Sequence, residues 1–101
     1  MPVTCYVRDR TLTAVISGEV DHHGAKDIMK ELDREIDRVL PLNLIMDLER
    51  VTFMDSSGVA VLIRAWRRMG ELKGSIRVIA APPQPAKVLH AAGVDRLIPF
   101  R

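Results

Sequence analysis

The sequence predicts a small α/β domain in which an antiparallel hairpin leads into a mixed β-sheet with parallel crossovers, packed with helices. Three observations predict this fold. Apolar residues alternate near the N-terminus, two later segments carry apolar residues at helical spacing, and short apolar strands follow these helices. The predicted order is β-β-α-β-α-β-α-β, and right-handed crossovers join the later strands. The length of 101 residues fits one domain, 1–101.

The N-terminal segment predicts the hairpin. In "PVTCYV" and "TLTAVISGEV" every second residue is apolar or small, and "RDR" between them is typical of a turn. The residues predicted to face the core are Val3, Cys5, Val7, Leu12, Ala14 and Ile16.

Helical spacing begins near Ala25, and Pro41 ends this first helix. The segments "NLIMDL" and "SIRVIA" predict buried strands. The second helix starts at Ser56 and Ser57, and its first two turns carry no polar face. A third helix, "PAKVLHAAG", has Pro85 in its first turn and Gly93 as its C-terminal cap, and "RLIPF" predicts a final edge strand.

Composition excludes several classes of protein. The formal net charge is only +2 and both signs are spread along the chain, which does not favour nucleic-acid binding. One cysteine cannot form an intrachain disulfide, so Cys5 is predicted to be a small buried residue in a reducing compartment. No apolar run approaches the roughly 18 residues of a membrane helix. These features predict a soluble cytoplasmic protein, and no pattern predicts a cofactor.

The paired serines in "FMDSSG" allow two interpretations. In the first, Ser56 is only the N-cap of the second helix and Ser57 is the first helical residue. In the second, Ser56 is a chemical handle at the edge of the sheet where α/β proteins present functional groups. Phosphate there would meet the positive end of a helix dipole and also the like charge of Asp55.

The segments "LNLIMDLERVTFMDSSGVAVLIRAWRRM" and "ISGEVDHHGAKDIMKEL" resemble the STAS-domain anti-sigma factor antagonists, especially the sporulation members of that family. The resemblance implies that Ser56 is phosphorylated by a partner anti-sigma factor that is itself a serine kinase. The unphosphorylated form would bind that partner and free a sigma factor, phosphorylation would break the complex, and a serine phosphatase would restore it.

The same resemblance implies a partner-binding surface around the serines and the "DHH" loop. Its predicted residues are Asp21, His22, His23, Asp55, Ser57 and Gly58. Asp21 would be the main polar contact, and Asp21 or Gly24 would also begin the first helix. One departure is that this sequence ends at "IPFR", where sporulation members carry a further helix. Two questions therefore stay open: how the final sheet edge is covered, and whether Ile98 and Phe100 are exposed or used in self-association.

Other interpretations of these residues were weighed. His22 and His23 beside a carboxylate suggest a metal site, but adjacent residues point in different directions and no cysteine lies nearby. Ser56 as the nucleophile of an enzyme would need a base and an orienting group, and His22 or His23 would have to reach it across a loop with no glycine-flanked elbow around the serine. The sequence therefore predicts a binding protein and not an enzyme. Arg64, Arg67 and Arg68 predict a solvated helix face, and Trp66 predicts core packing or an interface anchor. A STAS subunit of a transporter or of another signalling assembly remains the alternative function.

Overall fold

The computed structural model describes residues 2–100. These residues form four strands and three α-helices, and helices and strands alternate after an N-terminal hairpin. In chain order they are β1 Val3–Arg8, β2 Thr11–Val20, α1 His22–Val39, β3 Asn43–Met54, α2 Ser56–Glu71, β4 Ser75–Ile79 and α3 Pro83–Ala91. A single turn of 3₁₀ helix follows at Val94–Arg96. The single-domain prediction extends to Met1 and Arg101, which lie outside the described residues.

The sheet confirms the predicted fold class. Its strand order is β1-β2-β3-β4, in which β1 and β2 are antiparallel and β3 is parallel to both β2 and β4. Asp9 and Arg10 join the hairpin with φ angles of 50° and 63°. Two consecutive residues with positive φ form the type I′ turn that matches the twist of paired strands.

Helices α1 and α2 pack on the same face of the sheet, since they contact each other as well as the strands. Alternate residues of β2, alternate residues in the first half of β3 and the apolar stripes of both helices form the core. In the second half of β3 the alternation breaks, since Val51 and Met54 are buried while Arg50 and Thr52 are exposed. Ile28, Ile36, Leu44, Met46 and Leu62 are among its fully buried side chains. No helix within residues 2–100 combines the length and hydropathy needed to cross a membrane.

Strand β1 is less buried than its alternation predicts. Val3 is in the core, Cys5 is half-buried, and Val7 is 44% exposed. The reason is that β1 is the edge strand of the sheet and α1 covers only part of it.

The predicted final strand "RLIPF" is wrong in part. Its place is taken by the 3₁₀ turn and then a single parallel bridge between Val78 and Phe100, in which the Val78 N–H donates to the Pro99 carbonyl at 2.9 Å. Proline has no N–H with which to continue a ladder. Ile98 is nevertheless fully buried and Phe100 packs against the core, so this segment covers part of the β4 edge.

Candidate functional site

The two predicted site segments lie side by side at one edge of the sheet. Val20 and Met54 are register partners at the ends of β2 and β3. The backbone N–H of Asp55 then donates to the Val20 carbonyl at 3.2 Å. Helices α1 and α2 therefore begin next to each other, and their positive dipole ends are neighbours.

Helix α1 begins as predicted at the "DHH" loop. Asp21 is the N-cap, and its Oδ1 accepts a hydrogen bond from the Gly24 N–H at 2.8 Å. A Cβ at Gly24 would clash with the Glu19 carbonyl oxygen, so this turn requires glycine for a close backbone approach. The capping role of Asp21 is therefore a property of the fold, and it leaves the second carboxylate oxygen for other contacts.

The prediction that Ser56 caps α2 is wrong. Asp55 is the N-cap, with its Oδ1 accepting from the Ser57 N–H at 2.7 Å, and Ser56 is the first helical residue. Asp55 has the extended backbone of a capping residue, with φ −112° and ψ −166°. Aspartate caps a helix as well as serine does, so the earlier of the two residues takes this position.

Ser56 is consequently left with an exposed side chain. Within residues 2–100, no side-chain hydrogen bond involves its hydroxyl, while Ser57 is half-buried. Helical backbone fixes the position of Ser56, and the positive end of the α2 dipole lies close to it. The geometry thus presents one accessible hydroxyl on a rigid turn, with the Asp55 carboxylate beside it.

Gly58 is buried and faces the protein interior. A Cβ at this position would clash with Cγ and Sδ of Met54, whose side chain is 1% exposed. Met54 therefore packs directly beneath the first turn of α2. Packing against Met54 therefore accounts for a glycine at this position. A contact between Gly58 and a partner stays a prediction.

Gln84, at the start of α3, is a site residue that the sequence did not reveal. Its Oε1 accepts from the Met54 N–H at 2.9 Å, and its Nε2 donates to the Met54 carbonyl at 2.7 Å. Gln84 lies 30 residues from Met54 in the chain, and a lone glutamine in "PPQPAK" carries no local signal of this contact.

The two loop histidines contact each other and are exposed. The rings of His22 and His23 lie 5.9 Å apart at an interplanar angle of 66°. Among the described residues, no group of three or more His, Cys, Asp and Glu side chains is arranged to hold a metal ion.

The arginines of α2 pair with acidic residues of α1. Arg64 contacts Asp33 at 2.6 Å and Arg68 contacts Asp37 at 2.7 Å. Hydrogen bonding to these carboxylates raises the pKa of both guanidinium groups. These pairs fit the predicted solvated helix face, and Trp66 is half-buried against the core.

Comparison with known proteins places this architecture in a family. The sequence profile described as "STAS domain" matches residues 3–101. The chain belongs to the STAS domain family. The site described above is therefore the β2–α1 and β3–α2 edge of a STAS domain.

Relatives of this STAS domain include named regulatory proteins. The anti-sigma F factor antagonist of Paenibacillus polymyxa is 27% identical over 85 residues, which are 84% of this chain and 73% of that protein. The solved structure of the anti-sigma factor antagonist SpoIIAA in its unphosphorylated form has a TM-score of 0.84 at 25% identity, and the match covers 98% of this chain and 87% of the other. The structure of the Bacillus cell fate determinant SpoIIAA in its phosphorylated form has a TM-score of 0.75 at 25% identity, covering 98% and 90%.

Proposed function

We propose that this STAS domain is an anti-sigma factor antagonist that phosphorylation of Ser56 switches off. The unphosphorylated form binds an anti-sigma factor with serine kinase activity and so releases a sigma factor. The observation that carries the proposal is the exposed Ser56 hydroxyl at the first position of α2, in a chain similar to anti-sigma factor antagonists. The existence of a phosphorylated form of the structural relative SpoIIAA supports the same chemistry here.

The capping arrangement supports a switch that leaves the fold intact. Because Asp55 supplies the cap, the Ser56 oxygen can be esterified without losing the hydrogen bond that starts α2. Phosphate at the first helical position gains from the helix dipole and is repelled by the adjacent Asp55 carboxylate. The domain therefore stays folded while its surface gains about −1.5 to −2 charges.

The change in binding follows from this added charge. An interface that seats a small neutral hydroxyl would face both a steric clash and a buried charge without a partner. A loss of about 3 kcal/mol reduces affinity more than a hundredfold. Such a loss is enough to release the anti-sigma factor.

The partner-binding surface proposed around Ser56 joins the two helix starts. Asp21, His22 and His23 supply its polar groups from the α1 side, and Asp55 and Ser57 supply those from the α2 side. Gly58 would take part in this surface through its backbone. Met54 occupies the space that a side chain at this position would need. In the cell, this surface would bind the kinase in the cytoplasm during sporulation. A serine phosphatase would remove the phosphate from Ser56 and so restore binding.

Phosphorylation mapping tests the proposal. The protein is incubated with ATP and its cognate anti-sigma factor kinase, and the modified residue is identified by mass spectrometry. Ser56→Ala and Ser57→Ala form the matched pair. We expect phosphate on wild type and on Ser57→Ala but not on Ser56→Ala. Modification mainly at Ser57, or none in wild type, would contradict the proposal.

A further inference from the structure

We propose that Gln84 is a positioning residue for phosphoryl transfer to Ser56. Its side chain holds the residue two positions before the acceptor and so fixes the position of the backbone from which the Ser56 hydroxyl projects. This inference rests on the proposed function, and it adds a contribution of α3 to a site otherwise built from the starts of α1 and α2.

The first step of the argument is a gap in the sheet. Strand β4 pairs with β3 only from Asn43 to Asp47, although β3 continues to Met54. In a parallel sheet, the N–H and C=O of one residue point to the same neighbouring strand. The Asp55 N–H points to β2, so the peptide groups of Met54 point to the side where β4 is missing.

Gln84 fills that gap. Like a peptide group, a carboxamide has one acceptor oxygen and one N–H donor group. The carboxamide oxygen of Gln84 accepts from the Met54 N–H at 2.9 Å, and its NH₂ group donates to the Met54 carbonyl at 2.7 Å. Gln84 thereby replaces the hydrogen bonds that a longer β4 would make to Met54. Half-buried peptide groups left without such partners are costly, so the contact is favoured over an open gap.

The second step links this contact to the acceptor. Met54 is held by Gln84 on one side, and Asp55 is held by the Val20 carbonyl on the other. The Met54 side chain also packs against Gly58 in the first turn of α2. Ser56 lies between these fixed points, so its Cα and Cβ have little freedom to move relative to a bound kinase.

The consequence is kinetic. Phosphoryl transfer depends on in-line positioning of the attacking oxygen, and a displacement near 1 Å can cost about a hundredfold in rate. Loss of the Gln84 contact leaves the Asp55 cap intact, so α2 still forms. We therefore expect the Gln84 variants to fold, to bind the kinase and to transfer phosphate slowly.

The test uses Gln84→Ala, Gln84→Glu and the control Lys87→Ala, an exposed position on the same helix. Gln84→Glu keeps an acceptor for the Met54 N–H and loses the donor to the Met54 carbonyl. Hydrogen exchange of the Met54 amide and steady-state kinetics of Ser56 phosphorylation are measured, both well below the melting temperature of every variant so that the folded fractions are equal.

For Gln84→Ala we expect Met54 amide exchange to accelerate at least about tenfold, because that N–H loses its acceptor. We expect kcat for phosphorylation of Ser56 to fall about tenfold, because the acceptor serine is no longer held in position. KM should change less than about twofold, because the Asp21 loop of the proposed kinase-binding surface is unaltered. Gln84→Glu places a carboxylate oxygen against the Met54 carbonyl oxygen, so kcat should stay low, and Lys87→Ala should match wild type.

Two results would overturn the inference. If exchange accelerates while kcat stays at the wild-type value, Gln84 only stabilises the fold. If Met54 exchange is unchanged in Gln84→Ala, the contact does not hold this turn in solution. Failure of the proposed function looks different, because wild type itself would then carry no phosphate on Ser56.

Discussion

The Asp55 carboxylate accepts a hydrogen bond from the Ser57 backbone N–H at 2.7 Å, so Asp55 and not Ser56 caps α2. If Ser56 were the cap, the proposed phosphorylation would remove a bond that starts α2. With Asp55 in that position, the Ser56 hydroxyl takes no part in capping.

Asp55→Ala should lower the free energy of unfolding by about 0.5 to 2 kcal/mol, because the Ser57 N–H loses its acceptor. Asp55→Ser should recover most of that loss, since a hydroxyl also caps. Urea denaturation measures both. A Ser56→Ala variant that is destabilised as strongly as Asp55→Ala would show that the cap is shared.

Ser56→Asp and Ser56→Ala should both fold, because neither removes the Asp55 cap. Calorimetric titration with the anti-sigma kinase should separate them. The alanine variant should keep the wild-type affinity and the aspartate variant should bind at least about tenfold more weakly, because a buried charge lacks a partner. Equal affinities would mean that charge at this position is not the switch.

Asp21→Ala and Asp21→Ser distinguish capping from partner contact. The alanine variant should lose about 1 kcal/mol of stability with the Gly24 hydrogen bond, whereas the serine variant keeps a capping oxygen. Both lose the charge, so both should bind the kinase more weakly and with a smaller salt dependence than wild type. Wild-type affinity in the serine variant would restrict Asp21 to a structural role.

Gly58→Ala and Gly70→Ala form a matched pair within α2. Nothing lies within 4 Å of a Cβ at Gly70, so alanine there should stabilise the protein by about 0.5 to 1 kcal/mol. Alanine at Gly58 must displace buried Met54, an overpacking cost of about 1 to 3 kcal/mol that exceeds the helix gain. Thermal or urea unfolding that ranks the two variants equally would contradict the packing of Met54 against this turn.

Cys5 should react slowly with alkylating reagents in the folded protein. Burial, and then the nearby Glu35 carboxylate, raise the pKa of its thiol to about 11 from 9.0, with Arg38 acting in the opposite direction. At pH 8 the thiolate fraction is then about a hundredfold smaller than in the unfolded chain, so iodoacetamide labelling should slow by about that factor. Because the folded-state pKa is raised, the associated stability is complete below about pH 9 and declines toward pH 11. Equal labelling rates in folded protein and in denaturant would show that the thiol is not shielded.

Local apolar patterns in the sequence correctly predicted the hairpin, the two crossover helices and the presence of β3 and β4. The predicted segment "NLIMDL" covers only the first half of β3, which continues to Met54 through the polar residues Glu49 and Arg50. The cap of α2 was misassigned by one residue, since aspartate and serine have almost equal preference for that position. Gln84 could not be found in this way, because its role depends on where β4 stops and where α3 begins. The last segment was predicted as a strand from its apolar residues, but Pro99 and the 3₁₀ turn reduce it to one bridge.

The ion pairs between α1 and α2 also make the two helices depend on each other. Asp33 and Asp37 are one turn apart on α1, and Arg64 and Arg68 are one turn apart on α2, so each helix alone carries a repulsive like-charge pair. Only the assembled helices convert both repulsions into attractions. A slip of one helix past the other by a single turn would match Asp37 with Arg64 and leave Asp33 without an arginine, while Arg68 would keep only Glu71 of its own helix. Although each exposed pair stabilises little by itself, together they set the sliding register of the helices, and with it the alignment of the two helix starts that carry Asp21 and Ser56.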